Sequence, residues 1–265
     1  VYQADKANSG ASERIEMAWK ALAPHFGQYR PDQVDRARCR AYTERRITQG
    51  KRPGTIRKEL GTLRAALRYN NKNTPAIIEM PEDSKPREVW LTKPEFNKLH
   101  EAVKSTHVKL FLTLARHTAA RKEAILSLEW DQIDINPENP QINFGANVGN
   151  KGRAIVPING TLMIALEEAR KGRTTDYVIE YGGDRVKSIR KGFDTAKVKA
   201  GLPHITPHDV RRSAARWMVE RGVSMEEVSQ YLGHSTTEVT RRVYARFSPG
   251  YLAKAAEALE DDDED

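Results

Sequence analysis

Close to its C-terminal end the chain reads LGHSTTEVTRRVYARF over residues 232–247, which sets Tyr244 among Arg241, Arg242 and Arg246. A tyrosine so placed admits three readings: half-buried packing, a base-stacking aromatic, or a nucleophile. The third has strict requirements. A phenol with an ordinary pKa of about 10 needs a base or cationic surroundings before it ionises near neutrality. If it attacks a phosphodiester, the pentacoordinate phosphorus needs fixed cations on its non-bridging oxygens, and the planar fork of arginine suits that task. The departing sugar oxygen needs a proton, which Lys or His can supply.

The residues that would meet those needs occur in a definite order. Arg121 stands in HTAARKEAILSLEW, Lys151 in GNKGRAIVPI, His208 and Arg211 in PHDVRR, His234 in LGH and Tyr244 in RRVYARF. Taken singly, each has a bland reading. Arg121 and Lys151 would be solvated surface cations, His208 and Arg211 a helix-cap histidine and an exposed arginine, His234 a helix end and Tyr244 packing. His204 and His208, four apart, raise a metal pair, but Pro207 intervenes and no carboxylate or Cys ligand completes a set, so neither a metal nor a cofactor is expected. The segment after Ser224, with Gly233 in a turn, also fits a helix-turn-helix reader of DNA, which would leave Arg121 and Lys151 without a role.

The order Arg, hairpin Lys, His-x-x-Arg, Leu-Gly-His, Tyr, with ten residues from His234 to Tyr244, resembles the tyrosine recombinase or phage integrase family, which includes lambda-type integrases and the Cre- and Xer-type recombinases. The resemblance covers roughly residues 92–259 and, more weakly, the N-terminal segment. One departure is that the family commonly has an acid three positions after the first Arg, where this chain has Ala124, with Glu123 one position earlier.

The resemblance implies a site-specific recombinase that clamps double-stranded DNA, for integration or excision of phage or mobile DNA. Tyr244 would form a 3′-phosphotyrosine, and neither ATP nor metal would be needed. Arg121 and Arg211 would hold the non-bridging oxygens, His208 would take and return the tyrosine proton, Lys151 would protonate the leaving oxygen and His234 would hydrogen-bond the phosphate. It further implies a monomer that becomes a homotetramer on DNA, accessory DNA-bending proteins, and a cytoplasmic, nucleoid-bound setting. A type IB topoisomerase shares this chemistry and stays open as an alternative.

Composition is consistent with a polyanionic partner. The 265 residues carry a formal charge of +8. Residues 1–87 hold 18 Lys and Arg against 10 Asp and Glu, whereas residues 88–265 hold 26 of each, seven of those acids lying from Glu257 onward. The single Cys39 excludes an internal disulfide framework and any Cys-based zinc cluster. No run of 18 apolar residues occurs, and the N-terminal residues lack the apolar stretch of a signal peptide. The chain starts at Val1 without Met, so upstream residues, where many integrases carry an arm-binding domain, are expected to be missing.

The elements that must position these residues are mainly helical with a small sheet. Residues 1–74 read as a helical, core-type DNA-binding domain: Ile15, Trp19 and Leu22 share a face, residues 31–47 form a second helix, and Ile56, Leu60, Leu63 and Leu67 line a third. Lys51, Arg52, Arg57 and Lys58 flank the start of that third helix as candidate phosphate contacts. Residues 75–91, with Pro75, Pro81 and Pro86, read as an interdomain linker.

The catalytic domain is expected over 92–259, opened by the cap signature T-K-P-E at Thr92. Strands are predicted at 132–135, 141–144 and 153–158, the last two joined by the Gly-rich GANVGNKG, with a further strand at 177–181. Cap signatures at Thr206, Ser224 and Ser235 predict three successive helices, and Tyr244 falls late in the third. Tyr251, Leu252, Ala255 and Leu259 share a face of one more helix, which the resemblance packs on a neighbouring protomer, and residues 260–265 form an acidic tail.

Overall fold

The computed structural model describes residues 1–83, 88–145, 154–234 and 236–244. The chain divides into two compact units, Val1–Arg87 and Glu88–Asp265. Both are built mainly of helices, and the second includes small sheets.

The first unit comprises α1 (Tyr2–Asp5), α2 (Ser12–Phe26), α3 (Arg36–Thr48) and α4 (Pro53–Asn70). The buried face of α2 is Ile15, Ala18, Leu22 and Phe26. Trp19, expected on that face, is 44% exposed, because the i, i+3, i+7, i+11 stripe passes through Ala18 instead. In α4 the predicted stripe is present: Ile56, Leu60 and Leu63 are buried, and Leu67 packs partly against them. The single helix expected over residues 31–47 is broken. Pro31–Gln33 make one 3-10 turn, Val34 is extended, and Asp35 starts α3 by accepting from the Arg38 amide at 2.8 Å.

A buried carboxylate lies in this bundle. Glu59 accepts from the Tyr42 hydroxyl at 2.8 Å and from Arg46 through Nε at 3.0 Å and Nη2 at 2.6 Å. That pairing satisfies an ion which would be costly to leave alone in the core.

The stretch expected as a linker is divided between the two units. Up to Met80 it belongs to the helical bundle: Ala76, Ile78 and Met80 pack on its core, the Ile77 amide donates to Val34 O at 2.9 Å, and Arg40 pairs with Glu79. From Val89 it belongs to the second unit, where Leu91 is buried and its amide donates to Ser213 Oγ at 2.7 Å. Alternate residues of an extended segment, Ala76, Ile78 and Met80, face the core while Ile77 is exposed, a pattern which the prolines alone did not reveal.

In the second unit, α5 (Lys93–Ala102) opens with the expected capping box of Thr92 and Glu95. Next come α6 (Thr106–Thr118) and the short α7 (Lys122–Leu126). Helix α6 buries Val108, Phe111, Leu112, Leu114, Ala115 and Thr118 and runs through the middle of the core. Strands β1 (Ile133–Asp134), β2 (Gln141–Asn143) and β3 (Ile155–Pro157) form an antiparallel sheet in that order, with Ile142 opposite Val156. Each is shorter than predicted but lies within its predicted range.

Helix α8 (Gly160–Lys171) follows, capped by Asn159. The strand predicted at 177–181 shortens to β4 (Glu180–Tyr181), paired with β5 (Asp184–Arg185). Gly182 and Gly183, at φ 63° and 81°, make the two-residue turn whose twist matches a hairpin. Then come α9 (Arg190–Lys199), α10 (Pro207–Val219), α11 (Met225–Tyr231) and α12 (Thr237–Tyr244). The capping boxes predicted at Thr206 and Ser224 open α10 and α11. The helix and acidic tail expected after Tyr244 lie outside the described residues. Among the described residues, no helix is long and apolar enough to cross a membrane.

Candidate active site

Three chain reversals in the second unit bring the motif residues together. The first follows α6. Thr118 donates its hydroxyl to Leu114 O and accepts from the Ala120 amide, and between them Ala119 takes a left-handed conformation, φ 48° and ψ 24°. This turn ends α6 and leaves Arg121 extended at the start of α7, where the Ile125 amide donates back to Arg121 O.

The second is the start of α10. The Thr206 amide and hydroxyl both donate to Asp209 Oδ2, at 2.9 and 2.7 Å. Pro207 takes the first helical position, which needs no N–H donor, and His208 follows on the exposed side of the first turn. One turn on, Arg211 faces inward. The third is the α11–α12 connection, where Leu232 caps α11, Gly233 turns the chain at φ 60° and His234 follows.

Arg211 joins the three. It is 4% exposed, and its guanidinium donates through Nη1 to Ala119 O at 2.6 Å and through Nη2 to Leu232 O at 2.9 Å. The same Nη2 donates to His234 Nε2 at 3.0 Å. Arg121 reaches the third reversal as well, donating from Nη2 to Gly233 O at 3.2 Å. The two arginines therefore hold consecutive carbonyls of one turn. Burial lowers Arg121 from its ordinary pKa, yet a guanidinium remains charged throughout the physiological range.

The tautomer of His234 follows from its partners. An arginine nitrogen only donates, so Nε2 is the acceptor and Nδ1 bears the hydrogen, which it gives to Thr240 Oγ1 at 2.8 Å. Burial, and then the charges of Arg211, Arg121 and His208, push His234 down to about 4, and it is neutral at pH 7. Both ring nitrogens are thus engaged with protein groups. In this geometry His234 holds Arg211.

His208 is also lowered, by loss of hydration on its protein side first and then by Arg212 and Arg211, against a smaller opposing effect of Asp209. A neutral imidazole at the mouth of a cationic cluster can accept a proton. Glu123, the displaced acid, pairs with its neighbour Lys122 at 2.8 Å, and Ala124 packs on the core. Here Arg121 is held by a backbone carbonyl.

Four of the six expected residues, Arg121, His208, Arg211 and His234, therefore gather around one cluster. Tyr244 is the last residue of α12, one turn beyond Thr240, and its side chain lies outside the description. Lys151 lies outside the described residues, on the connection between β2 and β3.

Sequence reading missed Thr240, the carbonyls of Ala119, Leu232 and Gly233, and Tyr231. The Tyr231 hydroxyl donates to His117 O at 2.6 Å and ties α11 to the end of α6. Only Thr240 left a signal, its four-residue spacing from Tyr244. His204 precedes the start of α10, and among the described residues no three His, Cys, Asp or Glu side chains gather as a metal site.

The basic residues of the first unit behave unequally. Lys51, Arg52 and Lys58 are exposed around the start of α4. Arg57 differs in being engaged within the protein: it donates through Nη1 to Pro81 O, and its Nε lies 3.7 Å from Asp83.

The phage integrase family model matches residues 89–249. The chain is 27% identical over 206 residues to a tyrosine recombinase XerC-like protein of Caldanaerobacter subterraneus subsp. tengcongensis, covering 63% of this chain and 52% of that protein. It is 26% identical over 220 residues to the integrase of Salmonella phage P22, covering 75% and 54%. The chain thus spans about half the length of these curated relatives. Among solved structures, a lambda integrase dimer bound to a COC′ core site matches with a TM-score of 0.75 at 18% identity, over 92% of this chain and 75% of that one. The XerH site-specific recombinase bound to its difH substrate matches at 0.72 and 17%, over 98% and 83%. At such identities these two matches speak for the fold.

Proposed function

The chain belongs to the phage integrase family, and from that membership and the Arg211 cluster we propose that it is a site-specific recombinase acting on double-stranded DNA. The observation that supports this reading is the convergence of Arg121, His208, Arg211 and His234, and Tyr244 ends the helix that also holds Thr240. A buried guanidinium beside a half-buried one makes an anion site whose electrostatics are strengthened where water is excluded.

In the proposed reaction the Tyr244 oxygen forms a bond to phosphorus and the bond from phosphorus to the 5′ oxygen breaks. His208 accepts the phenolic proton, and Lys151 gives a proton to the departing oxygen. The products are a 3′-phosphotyrosine and a 5′-hydroxyl, and attack by another strand's 5′-hydroxyl reverses the step. Arg121 and Arg211 balance the charge that grows on the non-bridging oxygens. His234 positions Arg211, with Thr240 fixing its tautomer. The solved integrase and XerH complexes hold DNA, one lambda integrase structure is a tetramer on a Holliday junction, and we assign to this chain the same class of substrate and a tetrameric working assembly.

Incubation with a nicked cognate duplex tests the reading. Wild-type protein should accumulate a covalent adduct in the presence of EDTA. Tyr244→Phe should form none while keeping its DNA affinity, and an adduct from the Phe variant would refute the assignment.

A further inference from the structure

Beside the cluster lies a hollow of about 470 Å3, whose lining includes Lys122, Ser188, Arg190, Asp194, Lys197 and Pro207. Its place is set by chain neighbours. Lys122 follows Arg121 and Pro207 precedes His208, so the hollow adjoins the two ends of the proposed active site.

Three cations and one carboxylate among these residues give a positive balance. Asp194 is occupied internally, accepting from Lys197 at 2.8 Å and lying 3.6 Å from Arg190 Nε, and the hydrogen bond from Lys197 is the first cause of its lowered pKa. That carboxylate fixes Lys197, whose side chain is only 20% exposed, while Arg190 remains 87% exposed and extends from the first position of α9. Among the described residues Lys122 pairs with its exposed neighbour Glu123, a weak partner in water.

The starts of α9 and α10 both border the hollow, and their N-terminal dipoles add to its positive field. Helix α9, which supplies part of the lining, is closely packed on the core. A Cβ on Gly192 of α9 would come within 2.9 Å of Val108 Cγ2 on α6, so α9 sits as close to the core as its backbone allows.

Resting on the recombinase reading, we infer that this hollow seats a DNA backbone phosphate flanking the one attacked by Tyr244, with Arg190 and Lys122 as its contacts. Two neighbouring phosphates held on either side of Arg121 would fix the strand's register against the nucleophile. Asp194 is then a positioning residue that orients Lys197 and Arg190.

The test measures binding of the full chain to a mixed-sequence duplex by fluorescence anisotropy over a range of salt. Replacing both residues, Arg190→Ala with Lys122→Ala, should reduce the slope of log affinity against log salt by about 0.9, the value of one neutralised phosphate. Lys171→Ala, which removes an exposed cation of α8 outside the hollow, should leave the slope unchanged. No change in the double variant, or an equal change from Lys171→Ala, would overturn the inference. Adduct formation on the nicked duplex separates the two possible failures. An adduct with an unaltered slope removes the hollow alone, and a reduced slope without an adduct removes the recombinase reading while leaving a phosphate seat.

Discussion

A guanidinium with 4% exposure has to be hydrogen-bonded, because removing a cation from water costs several kcal/mol unless the protein replaces the lost hydration. Arg211 meets that condition with backbone carbonyls and with one histidine that must stay neutral to accept from it. Protonating His234 would set two cations 3.0 Å apart, which gives the depressed pKa a direct cause. Stability should follow. Above the ordinary value of 6.5 both folded and unfolded chains hold a neutral imidazole, so His234 contributes no pH dependence there. Between 6.5 and about 4 only the unfolded chain takes up the proton, and the folded state loses stability as pH falls. At about 1.4 kcal/mol per unit the full loss is on the order of 3 kcal/mol. Other histidines are lowered too, so the check is a difference: urea midpoints at pH 7 and near pH 4.5 for wild type and His234→Gln. The variant should lose clearly less stability on acidification, and an equal loss in both would show that His234 is not the titrating group.

At the scale of an element, the turn after α6 does more than end a helix. Ala119 holds a left-handed conformation at 1% exposure, a strained choice for a residue with a Cβ, and the same residue offers its carbonyl to Arg211. Ala119→Gly should keep the turn, with relief of strain offset by a freer unfolded chain and a net change within about 1 kcal/mol. Ala119→Val combines a β-branched residue with that backbone in a packed site and should cost about 2 kcal/mol or more, with loss of adduct formation. Denaturation midpoints and the nicked-duplex assay read both effects, and a Val variant as stable as wild type would show that the turn tolerates another conformation. This element also explains what the sequence could convey. Arg121, His208, Arg211 and His234, which the fold brings together, could be singled out in the sequence because their chemistry resides in side chains. The carbonyls of Ala119, Leu232 and Gly233 were not, since every residue has one and only folding aims it. The same limit applies elsewhere. Cap signatures located α5, α10 and α11 because capping is local. Trp19 was misread because Ala18, small enough to be overlooked, sits on the true stripe. The helix expected from residue 31 was misread because Pro31 also suits a single 3-10 turn.

At the scale of the molecule, the formal surplus of positive charge lies in residues 1–87, with 18 Lys and Arg against 10 Asp and Glu, while residues 88–265 hold 26 of each. Surplus charge predicts affinity for a polyanion without saying which cations touch it. The structure sorts them by what else they do. Lys51, Arg52 and Lys58 are exposed about the start of α4, whereas Arg57 spends its guanidinium on the Pro81 carbonyl and Asp83, fastening residues 81–83 to the bundle. Replacing Lys51, Arg52 and Lys58 by Ala together should therefore weaken binding to duplex DNA and flatten its salt dependence by about 0.9 for each phosphate that is no longer neutralised. Arg57→Ala removes the same charge as any one of them. It should leave that slope unaltered and instead lower the thermal midpoint by the few degrees that about 1 kcal/mol produces in a domain of this size. If Arg57→Ala flattens the salt dependence and leaves the midpoint unmoved, Arg57 reaches DNA after all and its hold on Pro81 and Asp83 gives way on binding. If the triple variant retains the wild-type slope, the first unit meets DNA through another face, for which the exposed Arg36 and Arg45 of α3 are the next residues to remove.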